Sequence, residues 1–552
     1  MAAKAARKTK AKAVLPAVLE VTWTLEELPT SQHRAGLAGL VLMAEWVGRQ
    51  EHTGTLEFSV TAHAAMLRCD AAGMQALMDA VYAASEEEQS VEKPWKDKAK
   101  NIKEPLRTEQ RKVTDKRGKE VEKTFYVYPV TVPDGAVVRE LDPTLEGKNG
   151  LWVKLWRDLL WGVLRGIPAQ RLPYEERGEG KPYKDAAELY EALALHPSQA
   201  IELPSTFFLG AQAKTAENVG VKDIVKRQFL LHFWPFAIQI HVPVTVDPHD
   251  GKNEFSGFAV AFPDVCDLEG FCASFGPMMC ARAKEKAGYR PRGALVDLPL
   301  ESGMDTLQRL ALVAEQIGKA SAGLACVQAI DVVHVEKQGN NVRVRGLARV
   351  VPDPLAVNQY AQFKGTYWNP FFRRQRLKNL IDRKPWYTAF LPVFRTLPQH
   401  VFFSPKERFP HDAREAFKAA GANVRPDEEP MDPTTQNDGA KETATEEVLA
   451  YRMVGAYLLR RLASKYGLRW EDVKGNDAKK AEYNEKKQKI ALDAFLACRS
   501  RSGKDFAEYF TSTLCSVPQF LPEEDFLRLS RALLRDPDTI RTLTMLALSA
   551  RA

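Results

Sequence analysis

Between Tyr360 and Phe390 the chain reads YAQFKGTYWNPFFRRQRLKNLIDRKPWYTAF. Arg373, Arg374, Arg376, Lys378 and Arg383 alternate there with Tyr367, Trp368, Phe371, Phe372, Trp386 and Tyr387. Guanidinium groups neutralise phosphates, and aromatic planes stack on bases of any sequence, so the mixture suits a nucleic-acid backbone. Phe371, Phe372, Leu377, Leu380 and Ile381 also recur as the core stripe of a helix. Most of the aromatics are therefore assigned to core, and Arg373, Arg374, Arg376 and Lys378 to backbone contact. Further cations fall at Arg343 and Arg345, on one face of a hairpin strand, and at Lys479, Lys480, Lys486, Lys487 and Lys489, on the polar face of a helix over Asp477 to Cys498. The arginine pair either tracks a phosphate backbone or is the solvated side of an edge strand. Gln32, His33 and Arg34 occupy the first turn of another helix, where free N–H groups favour anions. They are phosphate contacts or exposed entry residues, one of them a cap. A polar loop, GAQAKTAENVG, presents Gln212, Lys214 and Asn218, whose amides can pair with base edges.

Chemistry of other kinds lacks its partners. His249-Asp250 and His411-Asp412 resemble the metal-binding dipeptide of phosphohydrolases, yet no further His or Asp ligands follow at helical spacing. Cys266, Cys272 and Cys280 are not spaced as CxxC, and Cys266 and Cys272 lie among Val265, Leu268 and Phe271, which points to buried thiols instead of zinc. A phosphate-binding GxxxxGK[ST] loop, a GxSxG elbow and an HExxH helix are all missing from the sequence. A binding protein without metal or cofactor is expected, not an enzyme.

The elements that would carry these residues follow from periodicity. Residues 203 to 263 form the centre: the apolar block from Phe229 to Val246 is cut by Pro235 and Pro243, and its alternating Ile and Val residues read as strand. His232, Gln239 and His241 interrupt it, which argues for core and against a membrane span. A strand is expected near Val18 to Leu25 and a helix after Pro29, where Gly36 and Gly39 indicate close packing on a neighbour. LWVKLWRDLLWGVLRGIP reads as a core helix, Leu307 to Ile317 as another, and VVHVEKQGNNVRVRGLARVV as a hairpin turning at Gly339 to Asn341.

The expected fold class is α+β: a large mixed N-terminal region with several hairpins or sheets and packed helices, then a helical bundle. Residues 1–15 form a basic disordered tail, 16–425 the mixed region, 84–124 a flexible basic insertion ending in a hairpin about Asp115 to Gly118, 426–445 a linker, and 446–552 a bundle of four or five helices. The length of 552 residues accommodates two to four domains, the net charge of +7 leans toward polyanions, and seven irregularly spaced cysteines fit a cytoplasmic, reducing setting. The basic N-terminus has no apolar stretch of the secretory kind.

Four blocks, FFLGAQAKTAEN, FLLHFWP, the segment Gly257 to Val265 and RGALVDLPLESG, resemble the large subunit of type I CRISPR surveillance complexes, in particular the Myxan subtype grouped with subtype I-B. The resemblance implies a bacterial, RNA-guided, DNA-targeting assembly. The partners would be guide RNA, target double-stranded DNA, a handle-binding subunit, a backbone subunit, a small subunit, and a helicase-nuclease or a transposition factor. Met431 and Met453 stand where internal initiation would release the small subunit. The N-terminal region would read the protospacer-adjacent motif and help open the duplex, with Gln212, Lys214 and Asn218 as readers. The C-terminal bundle would support the displaced strand through the lysines of 479–489. A stand-alone metal-dependent nuclease and a purely structural guide-RNA scaffold remain as alternatives.

Overall fold

The structure, a computed structural model, describes residues 15–97, 100–114, 120–141, 150–163, 171–203, 222–247, 251–282, 292–316, 322–339, 341–422, 444–473, 476–516 and 522–552. The fold is α+β, with small sheets in the N-terminal part and helices in the C-terminal part. It divides into two compact units, Met1–Pro243 with Ser256–Pro352, and Val244–Phe255 with Asp353–Ala552.

In the first unit, β1 (Leu19–Thr24), β2 (Leu56–Val60) and β3 (Ala64–Cys69) form an antiparallel sheet in the order β1-β3-β2. Leu19, Val21 and Trp23 alternate with exposed residues along β1, the period-two pattern of a sheet with one buried face. The helix Ser31–Gly48 follows, capped by the Thr30 hydroxyl, which accepts from the His33 N–H. Its close neighbour is the backbone of 230–233. A Cβ on Gly36 would stand 2.5 Å from the Leu230 carbonyl oxygen, and one on Gly39 2.0 Å from that of Phe233.

The segment 84–124, expected to be a flexible insertion, contributes β4 (Ala84–Val91), β5 (Arg107–Thr114) and the start of β6 (Glu120–Pro133), an antiparallel sheet in the order β4-β6-β5. Charged residues on its exposed faces pair with one another: Arg107 of β5 binds Glu88 of β4 and Glu109 of its own strand, and Lys123 of β6 binds Glu92, just past β4. The β5–β6 turn anticipated at 115–118 lies outside the described residues. A short ladder joins β7 (Ala200–Glu202) to β8 (Lys222–Ile224).

The apolar block becomes the helix Val225–Leu230, a turn at Trp234–Phe236 and strand β9 (Gln239–Val246). Pro235 interrupts it as expected, whereas Pro243 lies inside β9. The pairing of β9 with β11 (Phe258–Val265) runs only through Gln239, Ile240 and His241, so the missing proline N–H breaks no bond of that ladder. β10 (Asn253–Phe255) pairs with the last residues of β9 in the second unit. β12 (Leu295–Val296) runs parallel to β9, and β13 (Val327–Gln338) and β14 (Asn341–Val350) extend the sheet beyond β11. Every residue of β11 is buried, as a central strand covered on both faces requires. Among the described residues no helix is long and apolar enough to cross a membrane.

The second unit is largely helical. Phe372 lies 5.0 Å from Phe390 and 5.2 Å from Phe409, ring centre to ring centre, and Phe394 and Phe402 extend this cluster to Phe495. The helix Pro537–Arg551 is buried from Ile540 through Ala550 and touches the helices Phe409–Ala419, Glu446–Tyr466, Asp477–Ser500 and Glu523–Arg535. A helix enclosed all round sits at the centre of a bundle.

Candidate nucleic-acid interface

Asn369 begins the arginine-rich helix Pro370–Ile381: its side chain accepts from the N–H groups of Phe371 and Phe372. Asp412, fully buried, fixes the same corner by accepting from the N–H groups of Trp368 and Asn369 at 2.8 and 2.6 Å, and from His411 at 3.1 Å. The His411-Asp412 pair is thus tied to a backbone corner. His249-Asp250 lies outside the described residues.

The helix divides its cations in two. Arg373 lies over the Phe363 ring at 5.4 Å, and Arg376 is half-buried close to Tyr367. Arg374 and Lys378 are exposed one turn apart, on one face, and meet no acidic partner among the described residues. Arg383 pairs with Asp353 at 3.1 Å.

Lys479 and Lys489 are exposed on the helix Asp477–Ser500 and likewise meet no acidic partner among the described residues. Lys480 pairs with Asp477 at 3.2 Å and Lys486 with Glu485 at 3.1 Å. Lys487 departs from the expected polar face: it is only 9% exposed, because its position turns inward with Tyr483, Ile490 and Ala494. Arg343 and Arg345 are both exposed on β14, the edge strand, and Arg345 binds Glu336 at 2.6 Å.

The first-turn residues of Ser31–Gly48 need correction as phosphate contacts. His33 is 1% exposed, and both ring nitrogens are engaged, Nδ1 with the Thr30 hydroxyl and Nε2 with Asp223, each at 2.9 Å. Burial alone would raise the Asp223 carboxyl, but hydrogen bonds from His33 and the Ile224 N–H, with Arg227 nearby, bring it below its ordinary value. Gln32 is buried, and Arg34 pairs with Asp264 at 2.7 Å. These residues fasten the helix into the core. Gln212, Lys214 and Asn218 lie outside the described residues.

One basic element escapes a reading based on composition. The connection from β4 to β5 folds back through a Lys96 to Ile102 bridge and is anchored by Trp95, stacked on Tyr128 at 4.6 Å. The Tyr128 hydroxyl accepts from the Trp95 N–H and donates to the Lys103 carbonyl. Lys93, Lys96, Lys100 and Lys103 are exposed on it without acidic partners among the described residues. The neighbouring strand cations Arg107, Arg111 and Lys123 are neutralised. Sequence holds all these cations alike; only strand register separates the paired from the unpaired.

A buried polar cluster lies in the first unit. Arg282, wholly enclosed, stacks on Trp152 at 3.6 Å and binds Gln239, while His241 and Arg309 both bind Asp305, at 3.0 and 2.6 Å. Burial, helped by the charges of Arg282 and Arg309 and opposed by Asp305, pushes the His241 imidazole down to about 4. Among the described residues no group of three or more His, Cys, Asp or Glu side chains is placed to hold a metal ion. Cys266 and Cys272 are each only half-buried and Cys280 is exposed, so the thiols lie less deep than expected.

Two successive family models match this chain, one for the type I-B CRISPR Cas8b N-terminal domain over residues 57–319 and one for the type I-B CRISPR Cas8b C-terminal domain over residues 327–551. The matches define a large subunit of a type I CRISPR complex, with both domains present in order. The chain belongs to the Cas8b family of subtype I-B. No curated protein matches it.

Proposed function

We propose that this subunit reads the protospacer-adjacent motif on duplex DNA, helps to open the duplex and supports the displaced strand. Within the guide RNA complex it docks beside the handle-binding and backbone subunits and recruits a helicase-nuclease or a transposition factor. The observation that carries this reading is the consecutive match to both Cas8b domains. In such an assembly base pairing supplies sequence specificity, while protein cations hold backbones. Arg374 with Lys378, Lys479 with Lys489, and Arg343 are the exposed candidates. The lysine hairpin at 93–103 is a further candidate for non-specific contact with the flanking duplex. Gln212, Lys214 and Asn218 remain the proposed readers, and 426–445 the proposed linker to the C-terminal helices. The Myxan subtype remains part of the proposal.

The test replaces Gln212, Lys214 and Asn218 with alanine in the assembled complex. Affinity for an intact target duplex should fall at least about 10-fold, as expected once even one base-edge contact worth about 1–3 kcal/mol is lost. A target already opened by a mismatched bubble should bind almost as before. Equal losses on both substrates would reject these residues as motif readers.

A further inference from the structure

Within the second unit, a cavity of about 610 Å³ lies between the stretch Phe403 to Arg414 and the helix Asp477–Ser500. Basic side chains line it from both walls: Arg408, His411 and Arg414 on one, Lys487 on the other. Arg414 is held in place, donating Nε and Nη2 to the Ala550 carbonyl at 3.1 and 3.0 Å. His411 is oriented by its Nδ1 contact with Asp412, and 42% of its side chain remains exposed. Glu485, the acidic side chain of the lining, is taken up by Lys486. Arg408 is exposed, meets no acidic partner among the described residues and has φ +62°, a backbone conformation that favours glycine. An exposed arginine with no acidic partner among the described residues, in a lining that also holds His411, Arg414 and Lys487, points to an anionic ligand.

We propose that this cavity binds one nucleotide of single-stranded DNA, its phosphate on Arg408 and His411. The volume falls within the range of about 300–1,000 Å³ that encloses one ligand-sized unit, and a flexible strand can insert a nucleotide where a stacked duplex cannot. Pro405 and Pro410 give the sugar or base an apolar surface inside the same lining. The identity of that strand as the displaced one rests on the function proposed above; the cavity's affinity for a single strand does not.

The test measures fluorescence anisotropy of the full-length chain with a labelled 12-nucleotide oligodeoxythymidine, across a salt series. Arg408→Gly suits the local backbone, and thermal melting verifies that the variant is folded. Its Kd should weaken about five- to twenty-fold, and its salt slope should fall by about 0.7, the value for one phosphate contact on a single strand. Arg408→Lys should keep the slope. Unchanged binding by folded Arg408→Gly would overturn the proposal. So would equal binding of an uncharged methylphosphonate strand, Arg408-dependent binding of an oligoribonucleotide but not the deoxy strand, or competition by thymidine monophosphate as effective per mole as the oligonucleotide. A paired Lys479→Ala, Lys489→Ala variant separates the two readings. Weakening there, with Arg408→Gly unaffected, rejects the cavity and leaves strand support by the helix face. The reverse keeps the cavity and removes that face.

Discussion

His232 and His241 are fully enclosed, and burial lowers their imidazoles to about 3 and about 4. Both therefore stay neutral in the folded chain at pH values where the unfolded chain, with imidazoles near 6.5, already binds a proton. Stability must then rise with pH between about 4 and 6.5 and level off above it. Each histidine should remove roughly 2 kcal/mol between pH 7 and pH 5, at about 1.4 kcal/mol per pH unit once below 6.5. Urea midpoints measured at the two pH values check this, and a flat profile would contradict the enclosure. His33 makes a separate case, because its partner Asp223 is distant in sequence and close in space. His33→Ala should destabilise the chain by about 2 kcal/mol, since it removes one hydrogen bond to the buried Asp223 carboxylate, which keeps Arg227 and the Ile224 N–H, while nucleic-acid affinity per folded molecule stays the same. A loss of affinity without a loss of stability would restore His33 as a phosphate contact. Sequence places His33 correctly in the first turn of a helix but cannot show Asp223 beside it, and that contact decides its role.

At the scale of elements, the helix Ser31–Gly48 depends on its glycines. Alanine is favoured over glycine in a helix by about 1 kcal/mol. At position 39, however, the added Cβ would meet the Phe233 carbonyl oxygen at 2.0 Å, far inside contact distance. Overpacking, at about 1–3 kcal/mol or more, should win. Gly39→Ala should therefore lower the urea midpoint, and a rise would show that the contact relaxes freely. The lysine hairpin has a different signature. Replacing Lys93, Lys96, Lys100 and Lys103 with alanine should leave stability nearly unchanged and reduce the salt slope of non-specific duplex binding by about 0.9 for every lysine that touches a phosphate. An unaltered slope would make the hairpin plain solvated surface.

These elements also mark how far sequence carries. The helix beginning at Glu446 and the core helix around Trp152 and Trp156 follow from apolar period, and the hairpin of β13 and β14, with Gly339 at φ +59°, from turn chemistry. Local patterns encode local structure. The sheet of β4, β5 and β6 is obscured because its exposed faces carry charged residues, some paired as Arg107 with Glu88 and Lys123 with Glu92, and such residues have no apolar period. Lys487 was misplaced for a related reason: on a helix with five lysines between 479 and 489, charge alone does not tell which one faces inward. The cavity at Arg408 joins stretches more than sixty residues apart, a separation that no spacing rule spans.

For the whole molecule, both Cas8b domains are present in order along one chain. The central claim is that this subunit makes target choice depend on the flank beside the guide-matched sequence. The most direct measurement is selection by the co-expressed complex, with and without this chain, from duplexes that share one target and carry a randomised flank. A short flank enriched only when the chain is present is the predicted result. Binding that is intact but indifferent to the flank would contradict the claim and leave a scaffold.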